Sequence, residues 1–218
     1  MIVSPGRNFI FVHIPKTGGT SLALALEKRA MKDDLMLGDT PKAIRRRARW
    51  DDLPPAQGRL WKHSTLADVA GALPDNLIRE AFTFALVRNP WDRMVSYYHW
   101  LQGQRFEHLH VALAKTLDFG KFVEHPDVGK SMRASPARSY LTDRFGAERA
   151  TLYIRLERFD ADAAPLFAHL GFSFSLSHSN ESARSRDWRT FFSDSQVEKV
   201  AEICAEDVTR FGYSFDPR

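Results

Sequence analysis

Three short runs of nearly unbroken hydrophobic residues stand out along the chain: Phe9 to Ile14 (FIFVHI), Phe82 to Val87 (FTFALV) and Thr151 to Leu156 (TLYIRL). The first two, which do not alternate with polar residues, predict buried strands, and the third predicts a strand. Between and after them the pattern turns helical. Leu22 to Arg29 is rich in Leu and Ala, both good helix formers. Trp91 to Gln102 follows Pro90, which suits a first helical position. Ala161 to Leu170 predicts a helix stopped by Gly171. Near the end, Ser193 and Gln196 have capping-box spacing. Val197, Val200, Ala201, Cys204, Val208 and Phe211 then share one helical face, and Gly212 ends it. Strands alternating with helices predict an α/β fold with a central, mostly parallel sheet.

The remaining stretches are less regular. Lys32 to Pro55 is polar and interrupted by Gly38, Pro41, Pro54 and Pro55. It reads as an irregular basic insertion, at about 32–60, with one short basic helix. Phe106 to Arg144 is mixed and mainly helical, and Ser177 to Arg189 is polar and loop-like. There is no internal repeat or low-complexity tract. With 218 residues the chain suits a single domain over 1–218.

Composition narrows the classes. Hydrophobic residues make up 44% and charged residues 27%, an ordinary globular balance. The single cysteine, Cys204, excludes an internal disulfide framework and a cysteine-rich zinc site, and it points to a reducing compartment. Its place on an apolar stripe marks it as a packing residue. The net charge of +4 favours anionic ligands without naming one. The densest basic run, Lys42 to Arg49, reads either as a solvated face or as a docking patch for a polyanion. No segment is apolar for long enough to cross a bilayer, and the opening MIVSPGRNFIFVHIP reads as strand, so a cytoplasmic location is expected.

The candidate chemistry begins at His13-Ile14-Pro15-Lys16-Thr17-Gly18-Gly19-Thr20-Ser21. A strand delivers the chain to a tight turn. Two glycines let backbone N–H groups approach a ligand with no Cβ in the way. The following helix aims its free N–H groups and positive dipole end at the same place. Lys16 adds a full charge, and Thr17, Thr20 and Ser21 add hydroxyls. Together these make a cradle for a phosphate-like group. The lysine precedes both glycines, so this is not the Gly-x4-Gly-Lys-Ser/Thr loop, nor is it Gly-x-Gly-x-x-Gly.

A second candidate follows the second strand. Arg88 stands where that strand stops, and Ser96 lies two helical turns further on. Ligands of open α/β sheets bind beyond the carboxyl ends of strands, which puts Arg88 on the same expected edge as the first loop. A guanidinium fork suits a second phosphate. The plainer alternative is that Arg88 pairs with Asp92. Two anion sites at two strand ends suit a nucleoside phosphorylated at both ends.

Pro15-Lys16-Thr17-Gly18-Gly19-Thr20-Ser21 resembles the phosphosulfate loop of sulfotransferases that use 3′-phosphoadenosine 5′-phosphosulfate (PAPS). Arg88-Asn89-Pro90 with Trp91-Asp92-Arg93 and Ser96 resembles their 3′-phosphate segment. The spelling is closest to the carbohydrate branch related to heparan sulfate 2-O-sulfotransferases and their small bacterial relatives. Asn180, Ser182 and Arg184, with Phe211-Gly212-Tyr213, are also similar to those relatives. Membrane-anchored animal members carry a transmembrane stem, which this sequence lacks. The resemblance implies a P-loop-like three-layer α/β/α fold. It further implies PAPS as co-substrate, no metal, and an acceptor bearing a hydroxyl, such as a glycan or other small molecule. It places Lys16 on the sulfate and bridging oxygen, Thr17 to Ser21 on the 5′-phosphate, and Arg88 and Ser96 on the 3′-phosphate.

Sulfuryl transfer needs a cation at the leaving oxygen and a base for the acceptor hydroxyl. Lys16 is the candidate cation. His63, in Trp61-Lys62-His63-Ser64-Thr65, is the candidate base, because related carbohydrate enzymes place a histidine between the two motifs. An ordinary imidazole titrates near neutrality and can take a proton there. A Glu or Asp, or an unassisted acceptor, remains open as an alternative. His99 and His13 read as packed and structural, and His108 and His110 are wrongly spaced for a metal pair on a helix. Arg184, Arg186 and Arg189 read either as a solvated loop or as a flap over the nucleotide. Two other functions compete. A P-loop-like kinase needs a magnesium site, whereas the second strand is followed by Arg88. A polyanion- or nucleic-acid-binding module leaves both loop motifs unexplained. The oligomeric state and the acceptor are not legible.

Overall fold

The computed structural model describes residues 1–176 and 187–216. In chain order the elements are β1 (Ile2–Ser4), β2 (Phe9–Val12), α1 (Gly19–Glu27), β3 (Leu35–Met36), α2 (Pro41–Arg46), α3 (Asp75–Glu80) and β4 (Phe82–Val87). Next come α4 (Pro90–Gln102), α5 (Leu109–Thr116), α6 (Phe119–Glu124), α7 (Pro126–Ala134), α8 (Ala137–Tyr140) and β5 (Leu152–Arg155). The last are α9 (Phe159–Asp162), α10 (Ala164–Leu170), α11 (Asp194–Ile203) and α12 (Ala205–Phe211). They fall into two compact units. One comprises Met1–Val87 and the described part of Ala137–Ser179; the other comprises Arg88–Pro136 and the described part of Asn180–Arg218.

The first unit is a mixed α/β body around a sheet of order β3-β1-β2-β4-β5. β2, β4 and β5 run parallel, in the register Phe11↔Phe84 and Phe84↔Leu152. β1 and β3 add an antiparallel edge. The sheet is therefore parallel in its middle, as expected, and antiparallel on one side. Asn8, at φ 49°, turns the chain between β1 and β2; asparagine is among the few residues that tolerate this left-handed region. β3 lies inside the polar insertion, where no strand was expected. It is two residues long, too short to leave a periodic signal, and exists by pairing with β1.

Side chains of β2 and β4 are buried on both faces, as their unbroken hydrophobic runs require. On one face Phe9, Phe11, Phe84, Leu86 and Ile154 pack with Leu22 and Leu26 of α1 and Leu166 and Leu170 of α10. Phe11 and Phe84 stack with ring centres 5.5 Å apart. Burial of each such side chain contributes about 1.5–3 kcal/mol.

The basic run proves largely structural. The buried Glu27 carboxylate accepts from the Ala43 amide at 3.1 Å and from the Thr40 hydroxyl, capping α2. Lys42 donates to the Glu27 carbonyl. Arg46 donates to the Met31 carbonyl at 2.7 Å, and Arg49 donates to the Lys32 and Asp34 carbonyls. Arg45 and Arg47 remain exposed.

Helices are the only regular elements among the second unit's described residues. Trp91, Met94, Val95, Tyr98 and Leu101 form the buried stripe of α4, at the spacing of one helical face. They pack with Phe119 and Phe122 of α6 and Val200 and Ile203 of α11. The Ser193–Gln196 capping box is present at the start of α11. The long final helix expected from the sequence is two helices, broken at Cys204, although no glycine or proline marks the break. Cys204 packs in this core, and burial pushes its thiol up to about 11. Gly212, at φ 65°, stops α12 as expected.

Candidate functional site

β2 ends at Val12, and the chain then turns through Pro15 to Gly18 into α1. Gly18 is the N-cap at φ 84° and ψ 8°, a conformation that costs glycine nothing. A Cβ there would lie 2.9 Å from the Leu156 side chain, so the turn sits close against the residue that follows β5. The carboxyl ends of β2 and β5 thus meet at one sheet edge. At Gly19 the fit is tighter still, because a Cβ would fall 2.1 Å from Cδ2 of His13. Both glycines are therefore required by close approach as well as by backbone freedom.

Thr17 is buried, and its hydroxyl donates to the Ile14 carbonyl at 2.9 Å. That bond ties the turn to itself, so only the Thr17 backbone is left to serve a ligand. Thr20 is half-buried and lines a small cavity with His13, Asp39 and Thr40. Ser21 follows one residue later on α1, and its amide closes the turn on the Gly18 carbonyl at 3.1 Å.

Lys16 adopts φ 66°, a left-handed conformation that costs an L-residue about 1–2 kcal/mol. Strain at a functional residue persists only where the surroundings over-determine it. Lys16→Gly should therefore melt about 2–4 °C above Lys16→Ala, since both remove the charge but only glycine relieves the strain. Differential scanning calorimetry checks this, and equal melting temperatures would show an unstrained turn.

His63 comes from a short turn that Ser64 locks. The Ser64 hydroxyl donates to the Arg59 carbonyl at 2.7 Å and accepts from the Trp61 amide at 2.9 Å. The Asp68 carboxylate then receives the amide and the hydroxyl of Thr65. Held this way, His63 Nδ1 lies 2.7 Å from the His13 carbonyl oxygen. A carbonyl only accepts, so Nδ1 carries the proton and the lone pair is on Nε2. Burial pushes the His63 imidazole down to about 4; the bond to His13 works upward, Lys62 and the Met1 amino group downward, and Asp39 upward. His13 is held well below the ordinary range, first by burial and then by the neighbouring His63, Met1 amino, Lys62 and Lys16 charges. Both rings are neutral at physiological pH. The structure thus brings His63 to the base of the glycine turn, across fifty residues of sequence.

Arg155 at the end of β5 was not singled out from the sequence. Its Nε and Nη2 grip the two oxygens of Asp162 at 2.7 and 3.1 Å.

In the second unit, Asn89 caps α4, accepting from the Trp91 amide at 3.1 Å, and its side-chain amide donates to the Ser214 carbonyl at 3.0 Å. Arg88 just before it is mostly buried and places Nε and Nη2 at 2.8 and 2.7 Å from one Asp92 oxygen. The plainer pairing weighed for Arg88 is therefore present, and it also fixes the guanidinium. Ser96 is buried on α4. His99 Nδ1 donates to the Val95 carbonyl at 2.9 Å, and the ring packs edge-on against Phe191. Arg189 binds the Phe215 carbonyl and the Asp187 and Asp216 carboxylates. Arg184 and Arg186, with Asn180 and Ser182, lie outside the described residues.

Among the described residues no helix is long and apolar enough to cross a membrane. A search of curated proteins found no match. Among solved structures, the chain matches a mouse sulfotransferase, SULT7A1, in complex with PAP, at 17% identity and a TM-score of 0.45, covering 94% of this chain and 85% of that one. The family model described as the sulfotransferase family matches residues 1–214. A match over nearly the whole chain places this protein in the sulfotransferase family.

Proposed function

We propose that this sulfotransferase takes its sulfuryl group from PAPS and places it on a hydroxyl of a carbohydrate or similar small acceptor, in the manner of the heparan sulfate 2-O branch. The reading rests on one observation above the rest: a lysine-bearing glycine turn at a helix N-terminus, with a neutral histidine hydrogen-bonded to the strand end beneath it. Gly18 and Gly19 let the turn close against Leu156 and His13, and the first amides of α1 point out of the helix there. Pro15 to Ser21 hold the 5′-phosphosulfate in this reading, and Arg88 and Ser96 take the 3′-phosphate. Arg184 is assigned to the nucleotide on resemblance alone.

The chemistry is an in-line displacement at sulfur. The acceptor oxygen forms the new S–O bond, and the S–O bond to the 5′-phosphate breaks. Lys16 stabilises the negative charge that builds on the departing phosphate oxygen. His63 Nε2 takes the acceptor proton, so the products are a sulfate ester, PAP and an imidazolium.

Calorimetry with PAP and AMP tests the donor assignment. A charge-assisted contact is worth about 1.5–3 kcal/mol, so PAP should bind about 10- to 150-fold tighter than AMP. Arg88→Ala should remove most of that preference. Equal affinities in the unmodified protein would sink the two-phosphate reading.

A further inference from the structure

His13 precedes the glycine turn and was read from the sequence as a structural residue of the first strand. Its placement gives it a more specific task. Its carbonyl holds Nδ1 of His63 at 2.7 Å. Its imidazole meets the His63 ring edge-on, with ring centres 4.7 Å apart. The same imidazole stacks on Phe11 of β2, at 5.8 Å and 22°, and lies so close over Gly19 that no side chain fits there. Trp61 also meets His63 edge-on, with ring centres 4.9 Å apart. One side chain therefore touches the core of the sheet, the first residue of α1 and the proposed base.

We propose that His13 is a positioning residue, whose ring sets the depth and tautomer of His63 relative to the glycine turn. The proposal rests on the reading of His63 as base. A ring wedged between Gly19 and His63 keeps the His63 Nδ1–H on the backbone carbonyl, and so keeps Nε2 aimed away from it. Without the ring, His63 can rotate off the carbonyl and water can reach it. The ionisable groups that bear on the pair are Lys16, Lys62, Asp39 and the Met1 amino group, the last pushed down to about 5 by its own burial. None of them changes when His13 is replaced.

The test compares His13→Ala with His13→Phe, which keeps a ring edge. His63 is followed by NMR through its labelled imidazole, and kcat and the pH profile of kcat/KM are measured in parallel. His13→Ala should raise the His63 pKa from about 4 toward the ordinary 6.5. It should also lower kcat about 10- to 100-fold, the scale of an ångström's misplacement. His13→Phe should restore most of both. If His13→Ala does not fold, His13→Leu carries the same expectation, because it fills space without presenting a ring edge. An unmoved His63 titration in the variant overturns the positioning role. A titration that moves while kcat stays normal leaves the positioning intact and overturns the base reading instead, so the two failures are distinct.

Discussion

Lys16→Ala should lower kcat by about 10²–10³-fold, the usual loss when one preorganised charge at a developing oxyanion is removed. PAP affinity should fall as well, because in the proposed reading the ammonium lies against the phosphate in the ground state and in the product. The two losses need not be equal. The leaving phosphate gains charge as the S–O bond breaks, so the kcat loss should exceed the loss in PAP binding. Lys16→Arg separates charge from geometry. It keeps the charge, but its planar fork replaces a compact ammonium on a backbone already turned left-handed at φ 66°. It should recover PAP binding better than it recovers kcat. Single-turnover kinetics with radiolabelled PAPS reads the chemical step, and calorimetry reads binding. A Lys16→Ala protein with near-normal single-turnover rate would remove Lys16 from the chemistry and leave it a binding residue.

Much of this arrangement was legible because it is local. FIFVHI and FTFALV became β2 and β4, since strands buried on both faces must be hydrophobic without interruption, and TLYIRL became β5, an edge strand in which only Ile154 is buried. The glycine turn was legible for the same reason: its demands on φ fall on adjacent residues. Arg88–Asp92 was also within reach, being an i,i+4 pair across a helix start. The features that escaped are non-local. β3 exists only because β1 offers it an edge. Arg46 and Arg49 belong to a charge run that reads as solvated, yet their guanidinium groups satisfy carbonyls of a loop formed by residues 31–34. The Thr17 hydroxyl looked available to a ligand and is spent on Ile14. Above all, the sequence puts His63 between two motifs but says nothing of its burial. An ordinary imidazole value was therefore the natural expectation, and the desolvation that shifts it is a tertiary effect.

That shift changes what removal of the base should show. His63→Ala should lower kcat by about 10²–10⁴-fold, the usual share of general-base catalysis, with PAP affinity little changed. The pH profile gives the sharper readout. A base must be unprotonated, and the free protein holds His63 at about 4 through burial. The acidic limb of kcat/KM, which reports the free protein, should therefore lie near pH 4 and not near neutrality. A weakly basic imidazole is a poor acceptor for an alcohol proton, which raises the question of how it could help. In the proposed reading the bound donor supplies the answer, because its phosphates and sulfate would bring negative charge to the turn that His63 adjoins. Nearby anions favour the imidazolium, so the limb of kcat, which reports the bound complex, should lie above the limb of kcat/KM. Stability follows the same sign. Between pH 6.5 and about 4 the unfolded chain takes a proton on His63 that the folded chain refuses, so this contribution is full above 6.5 and lost on acidification. His63→Ala should lose the acidic limb and flatten the fall in melting temperature over that interval. Circular dichroism and PAP binding first establish that the variant folds. A wild-type limb near 6.5 that survives in His63→Ala would assign the base to another group, with a carboxylate the first to test.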